Sequence, residues 1–321
     1  MQQILLVNVP FFALVLCGWV VARARLLPLE AIPGLNAFVL FALPCLLYRF
    51  AATSPIVRLL DPTVSTIYML CALLMVALTV VTTRRGAIGW NDASFGALVA
   101  AFPNSGFMGV PLLVALLGQR AAGPAIVALA IDMIVTSSLC IALSRLDGAN
   151  EHGVSRAVGN ALKGMLKNPL PWSIGLGCLT TATGFEFWEP ARNTVGMLAD
   201  GASPVALFTI GAVLARPQKA AATGGTGARG GLGDVPLVAF YKLVVHPALV
   251  LGTAKLAQAI GVALDSFSLT VLVLIAALPS ASSIPMLAER FDADAGRIAR
   301  IVLFATAASF VSFSAAVALL V

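Results

Sequence analysis

The chain has 321 residues, 60% of them hydrophobic and 11% charged, with a formal net charge of +6. Soluble domains carry about 25% charged residues, so this composition and a mean hydropathy of +0.98 exclude an ordinary soluble domain and indicate repeated membrane crossing. The positive charge does not indicate nucleic acid, because the basic residues stand singly or in pairs between apolar runs.

A helix needs about 20 apolar residues to cross a hydrocarbon core about 30 Å thick. Runs near 4–22, 31–50, 64–83, 93–117, 123–144, 169–184, 193–215, 235–254, 266–288 and 298–320 predict ten spans, the sixth short and glycine-rich. No basic residue precedes the first run, whereas Arg23 and Arg25 follow it. It is expected to be retained as a span, not removed as a signal peptide. Cys17, Cys45, Cys71, Cys140 and Cys178 lie within apolar runs without CxxC spacing, so they read as small buried hydrophobes, with no metal site or disulfide framework. No cofactor motif stands out.

The fourth run carries Phe102-Pro103-Asn104-Ser105-Gly106-Phe107-Met108-Gly109-Val110-Pro111, and the ninth carries Leu278-Pro279-Ser280-Ala281-Ser282-Ser283-Ile284-Pro285. Each places two prolines, with small polar residues between them, where the bilayer is deepest. Proline removes an amide donor and obstructs the carbonyl four residues back. Irregular backbone at that depth persists only where protein or a watery cavity satisfies it. The half-helix after each break presents amides and a positive dipole end, a setting for an anion. Asn104 offers a donor and an acceptor, Ser105, Ser280, Ser282 and Ser283 offer hydroxyls, and Gly106 and Gly109 permit close backbone approach. The plainer alternative is two kinked helices whose serines bond back to carbonyls.

Ionisable residues within spans are few and suggest function. Asp132, near the middle of the fifth, reads as a proton or cation partner or as a buried acid bonded to polar neighbours. Lys242, in the eighth, reads as a counter-charge for an anionic substrate, or as a side chain that snorkels to the inner surface, which its depth favours. His246, one turn on, reads as structural, and Asp200 lies a third of the way into the seventh span.

The connection 146–168 shows apolar residues at helical spacing, with Arg156, Lys163 and Lys167 interleaved, and suggests a short helix on the inner leaflet or an ordinary linker helix. The glycines of 217–233 make a flexible linker without the GK[ST] of a phosphate loop. The loops after the odd-numbered spans hold fourteen basic residues and the alternate loops five, which puts both termini outside. The chain divides into a first set of five spans at 1–148, a connection at 149–168 and a second set at 169–321. An odd number per set inverts the second half, and Pro44 with Pro204, Pro103 with Pro279 and Pro111 with Pro285 fall at matching places.

At these residues, with Pro169 and Tyr241-Lys242-Leu243-Val244-Val245-His246-Pro247, the sequence resembles the auxin efflux carrier family along essentially its whole length. That resemblance implies an all-α membrane protein of ten helices in two inverted five-helix repeats, similar to the bile-acid/sodium symporter fold. Spans one, two, six and seven would form a scaffold, and broken helices four and nine would cross at the substrate site. It implies a secondary carrier of small organic anions, such as malonate or an auxin-like carboxylate, in a bacterial-type inner membrane. The crossing falls on Pro103–Pro111 and Pro279–Pro285, with Asn104 the chief polar contact. The short central loop departs from long-looped plant members, and no acidic residue lies in the crossing to mark a sodium site. A proton- or sodium-coupled symporter using Asp132 is the second reading, and an apolar scaffold leaves room for a homodimer. A membrane enzyme is a remote third, since HExxH, GxSG with histidine and the paired motifs of aspartyl proteases are missing.

Overall fold

The computed structural model describes residues 2–53, 61–85, 88–146, 169–185, 187–215 and 233–321. The expected inner-leaflet helix over 146–168 and the glycine-rich linker over 217–233 therefore lie almost wholly outside the described residues. Those described are helical throughout: α1 (Gln2–Arg23), α2 (Ile32–Thr53), α3 (Pro62–Thr83), α4 (Trp90–Ala101), α5 (Val110–Leu117), α6 (Ala122–Ile131), α7 (Ser137–Leu143), α8 (Pro169–Thr183), α9 (Glu189–Leu214), α10 (Val235–Phe240), α11 (His246–Ala259), α12 (Ser266–Ala277), α13 (Ile284–Arg290) and α14 (Ala295–Leu320). Among the described residues six stretches are long and apolar enough to cross a membrane: Ile32–Thr53, Pro62–Thr83, Gln119–Leu143, Glu189–Leu214, Val235–Ala259 and Ala295–Leu320. Shorter apolar helices occupy Val9–Arg23, Ser105–Leu117 and Ser266–Ala277. The sixth expected span appears as α8, 15 residues long.

The helices pack as two groups. α9 lies against α1 and α2, and α8 against α2. Glycine permits this closeness: a Cβ at Gly18 would overlap the Phe208 carbonyl and one at Gly211 the Val15 carbonyl, so α1 and α9 meet backbone to backbone. Where lipid surrounds helices, such close approach replaces the hydrophobic effect as the source of association. Pro44 and Pro204 sit inside the continuous helices α2 and α9. Arg49 Nη1 meets Asp200 Oδ1 at 2.7 Å in an exposed pair between these helices, which gives Asp200 a partner at the surface.

The second group holds the remaining helices. Its buried apolar side chains include Phe95, Leu98, Leu112, Leu113, Leu272 and Leu274. At the end where α4, α10 and α14 begin, Arg297 is 6% exposed. Its Nε donates to Asp234 Oδ1 at 2.9 Å, its Nη2 to Asp234 Oδ2 at 2.5 Å and its Nη1 to the Asp92 carbonyl at 2.7 Å. A Cβ at Gly96 would stand 2.8 Å from Nη2, so this glycine makes room for the guanidinium. Asp265 caps α12 by accepting from the Phe267 and Ser268 amides. Burial opposes its charged form, but those amides, the Ser268 hydroxyl and Arg120 outweigh it and hold the carboxyl below its ordinary range.

Among the described residues three π-helical turns interrupt this group, at Ser105–Gly109, Asp132–Thr136 and Tyr241–Val245. Such turns are rare and gather at functional sites. Two have an evident cause, because Pro111 and Pro247 sit just beyond them and cannot donate to the carbonyl four residues back.

Candidate functional site

The two proline-flanked breaks lie against each other. α4 ends at Ala101 and α12 at Ala277, and the strand-like residues between pair as an antiparallel bridge of Pro103 with Ser280. The Asn104 amide donates to the Pro279 carbonyl at 2.8 Å, and the Ala281 amide to the Phe102 carbonyl at 3.1 Å. Backbone groups that a membrane would otherwise strand thus satisfy one another, as buried peptide groups must.

The carbonyls freed by proline find hydroxyls. Pro103 frees Val99, whose oxygen accepts from Ser280 Oγ at 2.8 Å. Pro111 frees Phe107, whose oxygen accepts from Ser203 Oγ of α9 at 3.2 Å. The second bond joins the two helix groups at the crossing itself. Ser105 Oγ lies 3.4 Å from the Pro103 carbonyl. The Ser280 and Ser105 hydroxyls are therefore engaged with backbone, whereas Ser282 is half-buried and Ser283 exposed.

Asn104 differs from these. Its backbone turns tightly (φ −76°, ψ 54°), with the Ser105 amide donating to the Pro103 carbonyl at 2.8 Å, an inverse γ-turn. Its own carbonyl accepts from Met108 and Gly109 at 3.1 and 2.9 Å and starts the π turn. The amides of Gly106 and Phe107 stand ahead of the first bond of that turn. The Asn104 side chain makes no capping bond to the π turn, although the residue is only 4% exposed. The two half-helices beyond the breaks are unequal: Ser105–Leu117 is a continuous apolar helix, whereas α13 has 7 residues. The dipole expected from both sides is consequently stronger on the Asn104 side.

Beside the crossing lies a buried polar cluster. Asp132 is fully buried and accepts from Tyr68 Oη at 2.8 Å and Thr136 Oγ1 at 3.1 Å. Lys242 is also fully buried, which corrects the expectation that it snorkels. Its Nζ donates to the Ala276 carbonyl at 2.8 Å and lies 3.2 Å from His246 Nδ1. The Ala276 carbonyl belongs to the last turn of α12, the negative end of that half-helix, where a cation is favoured. The Tyr68 and His246 rings stand 6.1 Å apart between centroids. The structure thus brings Asp132 and Lys242 to one polar cluster and fixes Lys242 to the broken helix.

Sequence reasoning missed Tyr68, Thr136 and Ser203. Ser203 had a signal in its position next to Pro204. Tyr68 had none, since a tyrosine in an apolar run reads as core until its hydroxyl's partner is seen. Among the described residues no group of three or more His, Cys, Asp or Glu side chains is placed to hold a metal ion.

A family model described as "Membrane transport protein" matches residues 4–317. The chain is 26% identical over 313 residues to a Rhizobium meliloti (strain 1021) protein named "Putative malonate transporter", covering 95% of this chain and 92% of that one. It is also 26% identical over 205 residues to "Uncharacterized transporter YfdV" of Escherichia coli (strain K12), covering 63% of this chain and 60% of the relative.

Proposed function

The chain belongs to the membrane transport protein family, the auxin efflux carriers, which makes it a membrane transporter and not an enzyme, and we propose that it is a secondary carrier of small organic anions. The relative named for malonate makes a dicarboxylate the first substrate to test. On this reading the anion binds where the two breaks cross, against Asn104, the amides ahead of the π turn, and the residues Pro103, Ser105, Gly106, Pro279, Ser280, Ser282 and Ser283, with Pro111 and Pro285 closing the segment. The single observation that carries it is the interlock of the two breaks at Asn104, a nearly buried polar side chain that does not cap the π turn it precedes.

The wider reading includes ten spans in two inverted repeats at 1–148 and 169–321, a bile-acid/sodium symporter-like arrangement, both termini outside an inner membrane, and a homodimer. The group α1, α2, α8 and α9 would be the scaffold against which the other helices move. Ser203 would then bond to the crossing across the sliding boundary. Support for this division comes from the packing of α9 with α1 and α2.

Asn104→Ala in proteoliposomes is expected to abolish malonate flux while leaving insertion and thermal stability near wild type. Wild-type flux in that variant would remove the site assignment. A second reading, coupling of transport to a proton or sodium through Asp132, is favoured by its complete burial beside Lys242's cluster. It predicts that Asp132→Asn uncouples flux from an imposed pH or sodium gradient; an unchanged gradient response would sink it.

A further inference from the structure

His246 Nε2 is fully buried and, among the described residues, has no hydrogen-bond partner. An orphan of this kind is rare in a packed interior and calls for a proton, an ion or a water that uses it. The other ring nitrogen, Nδ1, faces Lys242 Nζ at 3.2 Å. When Lys242 is an ammonium it can only donate, so Nδ1 accepts and the ring proton sits on Nε2. The orphan is then an N–H at the far end of a two-nitrogen path that starts at Lys242.

We propose that Lys242 and His246 form the proton-binding site of this carrier, with His246 passing the proton through Nε2 and protonated Lys242 locking the end of α12. Release proceeds as the Nζ–H bond breaks, the Nδ1–H bond forms, and the Nε2–H bond breaks to give its proton to water. One proton leaves, and the products are a neutral amine and the other neutral tautomer of the ring, whose Nδ1–H now donates to Nζ. Loading is the reverse. The chemistry needs no other reactant.

The proton state reaches the crossing through Ala276. A charged Nζ makes a charge-assisted bond to that carbonyl, roughly twice as strong as the neutral amine's, and it alone is drawn to the negative helix end. Ala276 lies in the same backbone as Pro279, whose carbonyl holds the Asn104 amide. The Tyr68 ring of α3 stands beside His246, and its hydroxyl donates to Asp132, which also accepts from Thr136; Cys71 of α3 and Cys140 of α7 are buried as well. Asp132 supplies the negative charge that offsets a buried ammonium. This inference rests on the carrier reading only for its role in transport; the locking of α12 stands apart from it.

The test is hydrogen–deuterium exchange of the purified full chain over residues 272–284 from acid to alkaline pH, corrected for the intrinsic exchange rate. In the wild type, protection is expected to fall about tenfold as pH rises, the difference between a charge-assisted and a neutral bond. Lys242→Arg should hold protection high at every pH, and Lys242→Met should hold it low. Wild-type protection that does not change with pH, or a Lys242→Met profile matching wild type, overturns the proposal. In proteoliposomes carrying a pH dye, wild-type malonate flux should shift the lumen pH, and His246→Phe should remove that shift. Malonate flux with no pH shift in the wild type overturns the proton's role in transport. Absence of wild-type malonate flux instead counts against the substrate reading, and the exchange measurement still decides whether Lys242 locks α12.

Discussion

Arg297 offers a sharp test of how the second helix group is held. Its guanidinium meets both carboxylate oxygens of Asp234 and the Asp92 carbonyl, joining the starts of α4, α10 and α14. Removing one partner of a buried pair costs about 3–5 kcal/mol, because the other charge is left without compensation. The Asp234 side chain keeps 15% of its surface exposed and can rehydrate, so Arg297→Met should fall at the lower end, about 3 kcal/mol. At about 2 °C per kcal/mol for a large domain, the unfolding midpoint should drop by about 6 °C. Asp234→Leu alone should do the same by leaving the guanidinium unpaired. The double variant removes both charges and should recover at least half of the loss, since apolar replacements of buried pairs are often neutral. Thermal unfolding of the four proteins in one detergent gives the coupling directly. Strictly additive losses, or single variants that unfold with wild type, would refute the view that this pair is a mutual clamp.

Two further outcomes follow from the packing and the electrostatics. Gly211→Leu places a side chain into the Val15 carbonyl, which is backbone and cannot retreat; it should cost about 3 kcal/mol or more by overpacking and broaden the size-exclusion peak. Gly34→Ala, where a Cβ meets nothing within 4 Å, is the control and should leave the unfolding midpoint unchanged or higher. The capping carboxylate of Asp265 has a folded-state pKa below its unfolded value. Its contribution is therefore present above the unfolded carboxylate range and is lost as pH falls through the folded value. Asp265→Asn should keep the cap and flatten the acid side of the stability profile, and an unflattened profile would show that the carboxylate charge contributes nothing.

Much of the architecture was legible in the residues. Apolar runs long enough to need a bilayer define helices by length alone, and two of them break where prolines are paired with small polar residues between them, at Pro103–Pro111 and Pro279–Pro285, whereas the single Pro44 and Pro204 leave their helices continuous. Proline's missing N–H implies that carbonyls near each break are freed. Which group captures each of them was not legible. Val99 takes Ser280 and Phe107 takes Ser203 across distances of 181 and 96 residues in sequence, and only packing decides such pairs.

Lys242 makes the division clearest. Its depth in an apolar run marks it as costly, but a long flexible side chain can equally well reach water or turn inward. The tertiary structure turns it inward, onto the Ala276 carbonyl and beside His246. Composition and periodicity set where charge enters the membrane, since the cost of burial belongs to the residue itself. What that charge does depends on a carbonyl exposed by the end of another helix, and that exists only once these helices have packed together.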